Sequence, residues 1–179
     1  MRIGITGPSA AGKDTLAEYL VSKGFEHFSL SDIIREELKK RGLEINRDNL
    51  HNVGNELREK EGAGFLATRA LAKMKKSGNY AITSIRNPLE VETLAAAGDF
   101  ILISVDAPLE VRFKRIFERK RDQYESSIEE FKHNEAREME SGITLGQNVK
   151  ECIEMADYEI TNNGAKNEFI ANFEALHLI

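Results

Sequence analysis

The chain of 179 residues is short of several things, and each shortage closes off a class of function. It has one cysteine, Cys152, so no disulfide frame holds it and no CxxC redox or metal pair exists; the single thiol points to a reducing compartment. Its four histidines, His27, His51, His133 and His177, are scattered without metal-ligand spacing, which argues against zinc. No run approaches the ~18 apolar residues of a membrane span, and the N-terminus lacks the charged-then-apolar pattern of a signal sequence. The expectation is a soluble, cytoplasmic protein with no membrane partner. Positive charge is not in excess either: 25 Lys and Arg against 30 Asp and Glu leave a net charge of −5. That balance argues against a nucleic-acid polymer as partner.

What is present is concentrated in the first fifteen residues. Residues 2–6 read as a short buried strand, Gly7-Pro8-Ser9-Ala10-Ala11-Gly12-Lys13 follows at once, and residues 15–21 read as a helix with Leu16 and Leu20 on one face. This is G-x-x-x-x-G-K between a strand and a helix, the arrangement that cradles phosphate. A triphosphate needs many N–H donors converging on a small volume, and only tightly folded backbone supplies them. Gly7 and Gly12 permit that path because they carry no Cβ. Lys13 adds a mobile charge for the terminal phosphates, with the positive end of the next helix behind it. The expected phosphate-binding set is Gly7, Ala10, Ala11, Gly12, Lys13, Asp14 and Thr15.

Further along, residues 25–30 read as a second strand, 31–42 as a helix capped by Ser31, and 46 onward as a helix with Leu50, Val53 and Leu57 on one face, broken at Gly62 and Gly64. Residues 65–76 are helical again, and 80–85 form a third strand that exits at Arg86. Asn87-Pro88-Leu89-Glu90 is a helix start with a cap, a proline in the first turn and an acid three residues on. Residues 100–105 are the most apolar run and belong in the middle of a sheet covered on both faces. The helix after Ala107-Pro108 is predicted to bury Leu109, Phe113, Ile116 and Phe117 and to carry Arg112, Arg115 and Arg119 on its polar side. Ser126-Ser127-Ile128-Glu129 is a capping box opening a charged helix to about 140; 149–155 is a short helix, 157–161 a last strand, and 166–176 a closing helix. Strands alternating with helices imply a parallel sheet with right-handed crossovers. No linker, repeat or low-complexity tract divides the chain, so it reads as one α/β domain over residues 1–179.

With these positions in place the sequence resembles the P-loop nucleoside monophosphate kinase group, which includes adenylate kinases, the adenylate-kinase-related proteins of archaea, deoxynucleoside monophosphate kinases and dephospho-coenzyme A kinases. The likeness covers most of the chain. Besides the loop, residues 28–35 look like the acceptor segment of adenylate kinases, which gives Arg35 a role on the acceptor's phosphate and brings in Asp32 as a group that orients the acceptor. Thr83-Ser84-Ile85-Arg86 sits where the family has Asp-Gly followed by an arginine on the same phosphate, and Arg86 inherits that role. Residues 115–119 are similar to the arginine-bearing entrance of the lid, with Arg115 and Arg119, and Arg137 falls where related kinases carry another lid arginine. Residues 156–164 are close to the segment ending in the donor adenine loop of dephospho-coenzyme A kinases, implying Asn162 and Gly164 as donor contacts.

The resemblance implies a three-layer P-loop NTPase fold: a five-stranded parallel sheet, helices on both faces, an acceptor-binding helical region over about 31–77 and a short helical lid over about 119–142. It implies ATP with Mg²⁺ as phosphoryl donor, Asp14 and Thr15 as metal ligands, and a nucleoside or deoxynucleoside monophosphate as acceptor. Dephospho-coenzyme A as acceptor is an alternative, although that family's Asp-x-Asp is Leu30-Ser31-Asp32 here. A nucleotide-binding regulator with degenerate catalysis is another, because Thr83 replaces the acid that holds the metal's water shell in the family and Asp14 replaces its hydroxyl ligand. Asp14 can supply the missing carboxylate, since Mg²⁺ takes few protein ligands and accepts carboxylates readily. Ordinary roles stand beside several of these: Arg35 pairing with Glu36 or Glu37, Asp32 or Asp106 capping helices, and Arg112, Arg115, Arg119 and Arg137 forming solvated helix faces. No Asp-x-x-Gly follows the loop and no Asn-Lys-x-Asp reads guanine, which removes a GTPase switch. Spacing leaves the acceptor's base and sugar, and the oligomeric state, open.

Overall fold

The hydrophobic alternation of the strands sorts the chain into two cores, one on each side of a single sheet. In the computed structural model the described residues are 1–75, 77–119, 127–139 and 146–179. Among them, β1 (Arg2–Thr6), β2 (Glu26–Ser29), β3 (Tyr80–Thr83), β4 (Phe100–Asp106) and β5 (Tyr158–Thr161) form a parallel sheet in the order β2-β3-β1-β4-β5. β1 is central, with Ile3 opposite Ala81 of β3 and Ile101 of β4.

Side chains on a strand alternate between faces. Ile3, Ile5, Ala81, Ile103 and Val105 face one way and pack with Leu16 and Leu20 of α1 (Lys13–Ser22) and Phe169 and Phe173 of α9 (Lys166–Glu174). Ile82 and Leu102 face the other way, into a larger core built by α2 (Leu30–Arg41), α3 (Arg47–Glu61), α4 (Phe65–Lys73), α5 (Pro88–Ala96) and the buried Cys152 of α8 (Val149–Glu154). Two covered faces explain why β4 is a continuous apolar run, and the three-layer P-loop expectation holds. α6 (Leu109–Arg119) and α7 (Ile128–Met139) lie between β4 and β5 in the chain. Among the described residues no helix is long and apolar enough to cross a membrane.

Local signals place most boundaries. Asn46 accepts the N–H of Asn49 at 2.9 Å to start α3, and at α5 Asn87 accepts from Leu89 at 2.9 Å while the Glu90 carboxylate accepts from the N–H of Asn87 at 3.2 Å. Ser127 accepts from the N–H of Glu130 to start α7, whereas Ser126 lies outside the described residues. α2 differs from expectation: it opens at Leu30 with Ser29 in the cap position, and Ser31 instead bonds to Ser29 and Arg35. The stripe on α6 is also shifted. Phe117 is 71% exposed, and Arg112 is buried with its guanidinium neutralised by the carboxylate of Glu135 on α7.

Candidate active site

In an open parallel sheet the crevice lies at the carboxyl ends of the strands, where the chain leaves neighbours in opposite directions. Here that point is the end of β1, between β3 and β4, and the loop from Gly7 to Gly12 leaves from it. Gly7 has φ of 129° and a Cβ there would run into the Val105 carbonyl; Gly12 has φ of 114° and a Cβ would run into the Asn162 amide. Both glycines are therefore required by conformation and by space. Ala10 is left-handed as well, at φ 57°, a conformation that costs a residue with a Cβ about 1 kcal/mol.

Lys13 begins α1 and folds back over the loop, its ammonium donating to the carbonyls of Gly7 at 2.8 Å and Pro8 at 2.6 Å. Its pKa falls to about 8, first because burial disfavours the charge and then because Arg86 repels it; Glu138 and Asp14 oppose the fall and Arg112 adds to it. The lysine thus shares its surroundings with a second cation from β3's exit. Arg86 itself faces Glu138 of α7 at 3.8 Å.

Two further arginines brace the loop from outside. Arg112 donates to the carbonyls of Ala107 at 2.8 Å and Ser9 at 3.3 Å and lies over the Phe131 ring. Arg115 donates to the carbonyls of Ala10 and Ala11, both at 3.3 Å, and to both oxygens of Asn162 at 3.0 and 3.1 Å. The Asn162 amide completes the triangle by donating to Ala11 at 2.7 Å. Beside this brace lies a cavity of 220 Å³ lined by Gly12, Thr15, Arg115, Asn162, Gly164, Lys166 and Phe169. Thr15 thus lies with the predicted donor-loop residues Asn162 and Gly164, while Asp14 is exposed in the first turn of α1.

On the other side of β1, three hydroxyls join the end of β2 to the exit of β3: Ser29 bonds Ser31 and Ser84, each at 2.9 Å, and Ser84 holds φ 63°. Arg35 stands on this cluster, donating to Ser31 and to the Asp32 carboxylate at 2.9 Å rather than to Glu36 or Glu37. Thr83 is buried and its hydroxyl is bonded to His27 at 2.8 Å, so it presents no acid. Asp106 accepts the N–H of Ala107 at 2.8 Å, a contact within the turn that precedes α6 rather than a cap on the helix itself. The side chains of Arg119 and Arg137 lie outside the described residues, as do residues 120–126 and 140–142 of the predicted lid.

Sequence reasoning missed the buried brace by Arg112 and the α7 carboxylates Glu135 and Glu138, which meet Arg112 and Arg86. The three-residue spacing of those two acids on one helix face was the available signal. Among the described residues no group of three or more His, Cys, Asp or Glu could hold a metal. Mg²⁺ needs few protein ligands and accepts carboxylate oxygens, and Asp14, in the first turn of α1 and with its charge felt at Lys13, could supply one.

The family pattern of the AAA domain matches residues 3–163. The chain is 38% identical to the UPF0200/UPF0201 protein of Archaeoglobus fulgidus over 98% of its own length, spanning about half (54%) of that protein. It is 34% identical to a UPF0200 protein of Methanosarcina mazei, covering 90% of this chain and 85% of that one. Among solved structures, the fold is shared with a shikimate kinase from Acinetobacter baumannii in complex with shikimate (TM-score 0.59, 22% identity, 99% of this chain and 92% of that one). It is also shared with dephospho-CoA kinase from Campylobacter jejuni (TM-score 0.56, 20% identity, 98% and 94%). The family pattern and the relatives together place the chain in the AAA-domain family and among the UPF0200 proteins, with the P-loop kinase fold.

Proposed function

We propose that this P-loop kinase-fold protein transfers the γ-phosphoryl group of ATP to a nucleoside or deoxynucleoside monophosphate. The observation that carries the reading is the proximity of Lys13 and Arg86. One cation belongs to the loop at the end of β1 and the other to the exit of β3, and the charge of Arg86 is felt at Lys13. Phosphoryl transfer asks little covalent chemistry of a protein, so catalysis is positioning plus stabilisation of charge on the migrating group.

In this reading the backbone N–H groups of the loop and Lys13 hold the donor's β- and γ-oxygens, and Thr15, Asn162 and Gly164 border the donor along the cavity. Arg86 and Arg35 receive the acceptor's phosphate; Arg35 is 41% exposed in its side chain and able to turn toward a ligand. Asp32, now holding Arg35, orients it. The region of about 31–77 forms the acceptor side, and the lid of about 119–142 supplies Arg119 and Arg137. Arg115 acts at the donor end, where it stiffens the loop. Asp14 holds Mg²⁺, which when bound neutralises charge on the triphosphate.

Dephospho-coenzyme A as acceptor is the second reading. The donor-side triangle of Arg115, Ala11 and Asn162 and the fold shared with the Campylobacter enzyme favour it. The absence of the first acid in Leu30-Ser31-Asp32 speaks against it. Incubation with ATP, Mg²⁺, the eight common ribo- and deoxyribonucleoside monophosphates and dephospho-coenzyme A decides between them. Formation of a nucleoside diphosphate supports the first reading, phosphorylation of dephospho-coenzyme A alone supports the second, and no product from any acceptor overturns both.

A further inference from the structure

Glu90 does more than a capping acid requires. Its Oε2 accepts the N–H of Asn87, as a capping box asks, and also the N–H of Arg86 at 2.8 Å, one residue outside the helix. Its Oε1 faces the Arg58 guanidinium of α3 at 3.5 Å, and the two side chains are 0% and 3% exposed. Arg58 continues to Asn55 at 3.4 Å, and Asn55 to His51 at 3.4 Å, so a polar stripe at positions 51, 55 and 58 runs along α3 into the turn that carries Arg86. Gly54 leaves room for it, since a Cβ there would sit 3.3 Å from the guanidinium.

The same turn is held from its other side. The Arg86 carbonyl accepts the N–H of Asn148 at 2.7 Å, and the Asn87 amide donates to the carbonyl of Gly146 at 2.6 Å. Residues 146–148 come a few positions after the end of the predicted lid at about 142. The backbone of Arg86 is thereby fixed at its N–H through α3 and at its C=O through the segment after the lid. Stability alone does not call for such a pair, because a buried ion pair is generally no better than an apolar pair of the same volume. A fixed direction for one peptide does call for it.

We propose that Glu90 and Arg58 are positioning residues for Arg86, setting the backbone from which its guanidinium reaches the acceptor and tying that backbone to the acceptor-side helix α3. This rests on the proposed role of Arg86 at the acceptor's phosphate. Neither side chain touches the reacting atoms; both act through the Arg86 peptide.

The test is steady-state kinetics of Glu90→Gln, Arg58→Lys and Arg86→Ala with ATP and the monophosphate that the wild-type protein turns over best among AMP, CMP, GMP, UMP, dAMP, dCMP, dGMP and dTMP, with the unfolding temperature of each variant alongside. Glu90→Gln is expected to raise the acceptor KM at least tenfold and leave the ATP KM within twofold, and Arg58→Lys to do the same to a smaller degree. Should Glu90→Gln fail to fold, Arg58→Lys carries the test, since it keeps a cation opposite an intact Glu90. Lower unfolding temperatures with both KM values unchanged in the pair variants, while Arg86→Ala raises the acceptor KM, overturn the inference alone. An Arg86→Ala protein with an unchanged acceptor KM, or a wild type that turns over none of the eight, overturns the reading beneath it as well.

Discussion

Arg115 and Asn162 are joined twice, the guanidinium meeting both the backbone and the side-chain oxygen of the asparagine, while the amide of Asn162 reaches the loop carbonyl of Ala11. The end of β5 is thereby latched to the loop across 151 residues of sequence. Losing a buried hydrogen bond with one partner left unsatisfied costs about 1–3 kcal/mol. Asn162→Ala should therefore lower stability by that order and raise the KM for ATP several-fold, with the acceptor KM little changed. Urea unfolding and initial rates at varied ATP check both parts.

The pKa of Lys13, about 8 against an ordinary 10.5, gives two pH trends of opposite sign. A polyphosphate prefers the protonated lysine, so ATP affinity should be flat below pH 8 and fall by up to about tenfold per unit above it. The unfolded chain holds the proton up to its ordinary pKa, so between pH 8 and 10.5 unfolding takes up a proton and this group's contribution to nucleotide-free stability rises with pH. Glu138→Gln removes a charge that favours the ammonium, and should move the break in the affinity profile to lower pH. Calorimetric titration with ATP across pH 6–10 reads the affinity and its break.

Ala10 and Gly7 should respond in opposite ways to exchange of alanine and glycine. Both are at positive φ, but Ala10 already tolerates a side chain there, whereas a Cβ on Gly7 meets the Val105 backbone. Ala10→Gly should keep ATP binding and change stability by no more than about 1 kcal/mol. Gly7→Ala should abolish ATP binding. Thermal unfolding with and without ATP separates the two.

The Arg112–Glu135 pair, with side chains 8% and 14% exposed, should matter where an exposed pair does not. Glu135→Ala strands a guanidinium inside and is expected to cost roughly 3 kcal/mol. Glu118→Ala, which breaks an exposed pair with Lys114 at 3.8 Å, should cost less than about 0.5 kcal/mol. Urea midpoints of the two variants make the comparison.

The parts legible in the sequence were those written locally. The strand, loop and lysine at residues 2–13 form one continuous signal, and Asn87 with Glu90 is a cap readable within four residues. The sheet followed from alternating periodicities. Arg112 was misjudged because its partner is 23 residues away, and burial of a charge depends on who meets it. The second duty of Glu90 was hidden likewise, since Arg58 lies 32 residues before it on a helix whose placement is decided by packing. Arg35 settles on Ser31 and Asp32 one turn back, and not on Glu36 or Glu37 beside it, because residues three and four apart share a helix face.

Titration of ATP into the wild-type protein and into Lys13→Ala, with the unfolding temperature of each recorded, bears most directly on the whole account. Wild type should bind, and the alanine variant should fold equally well yet bind at least about thirtyfold more weakly, the loss of a charge-assisted contact of roughly 2 kcal/mol. Equal affinity in two folded proteins would contradict the account, because the loop would then not be where the nucleotide is held.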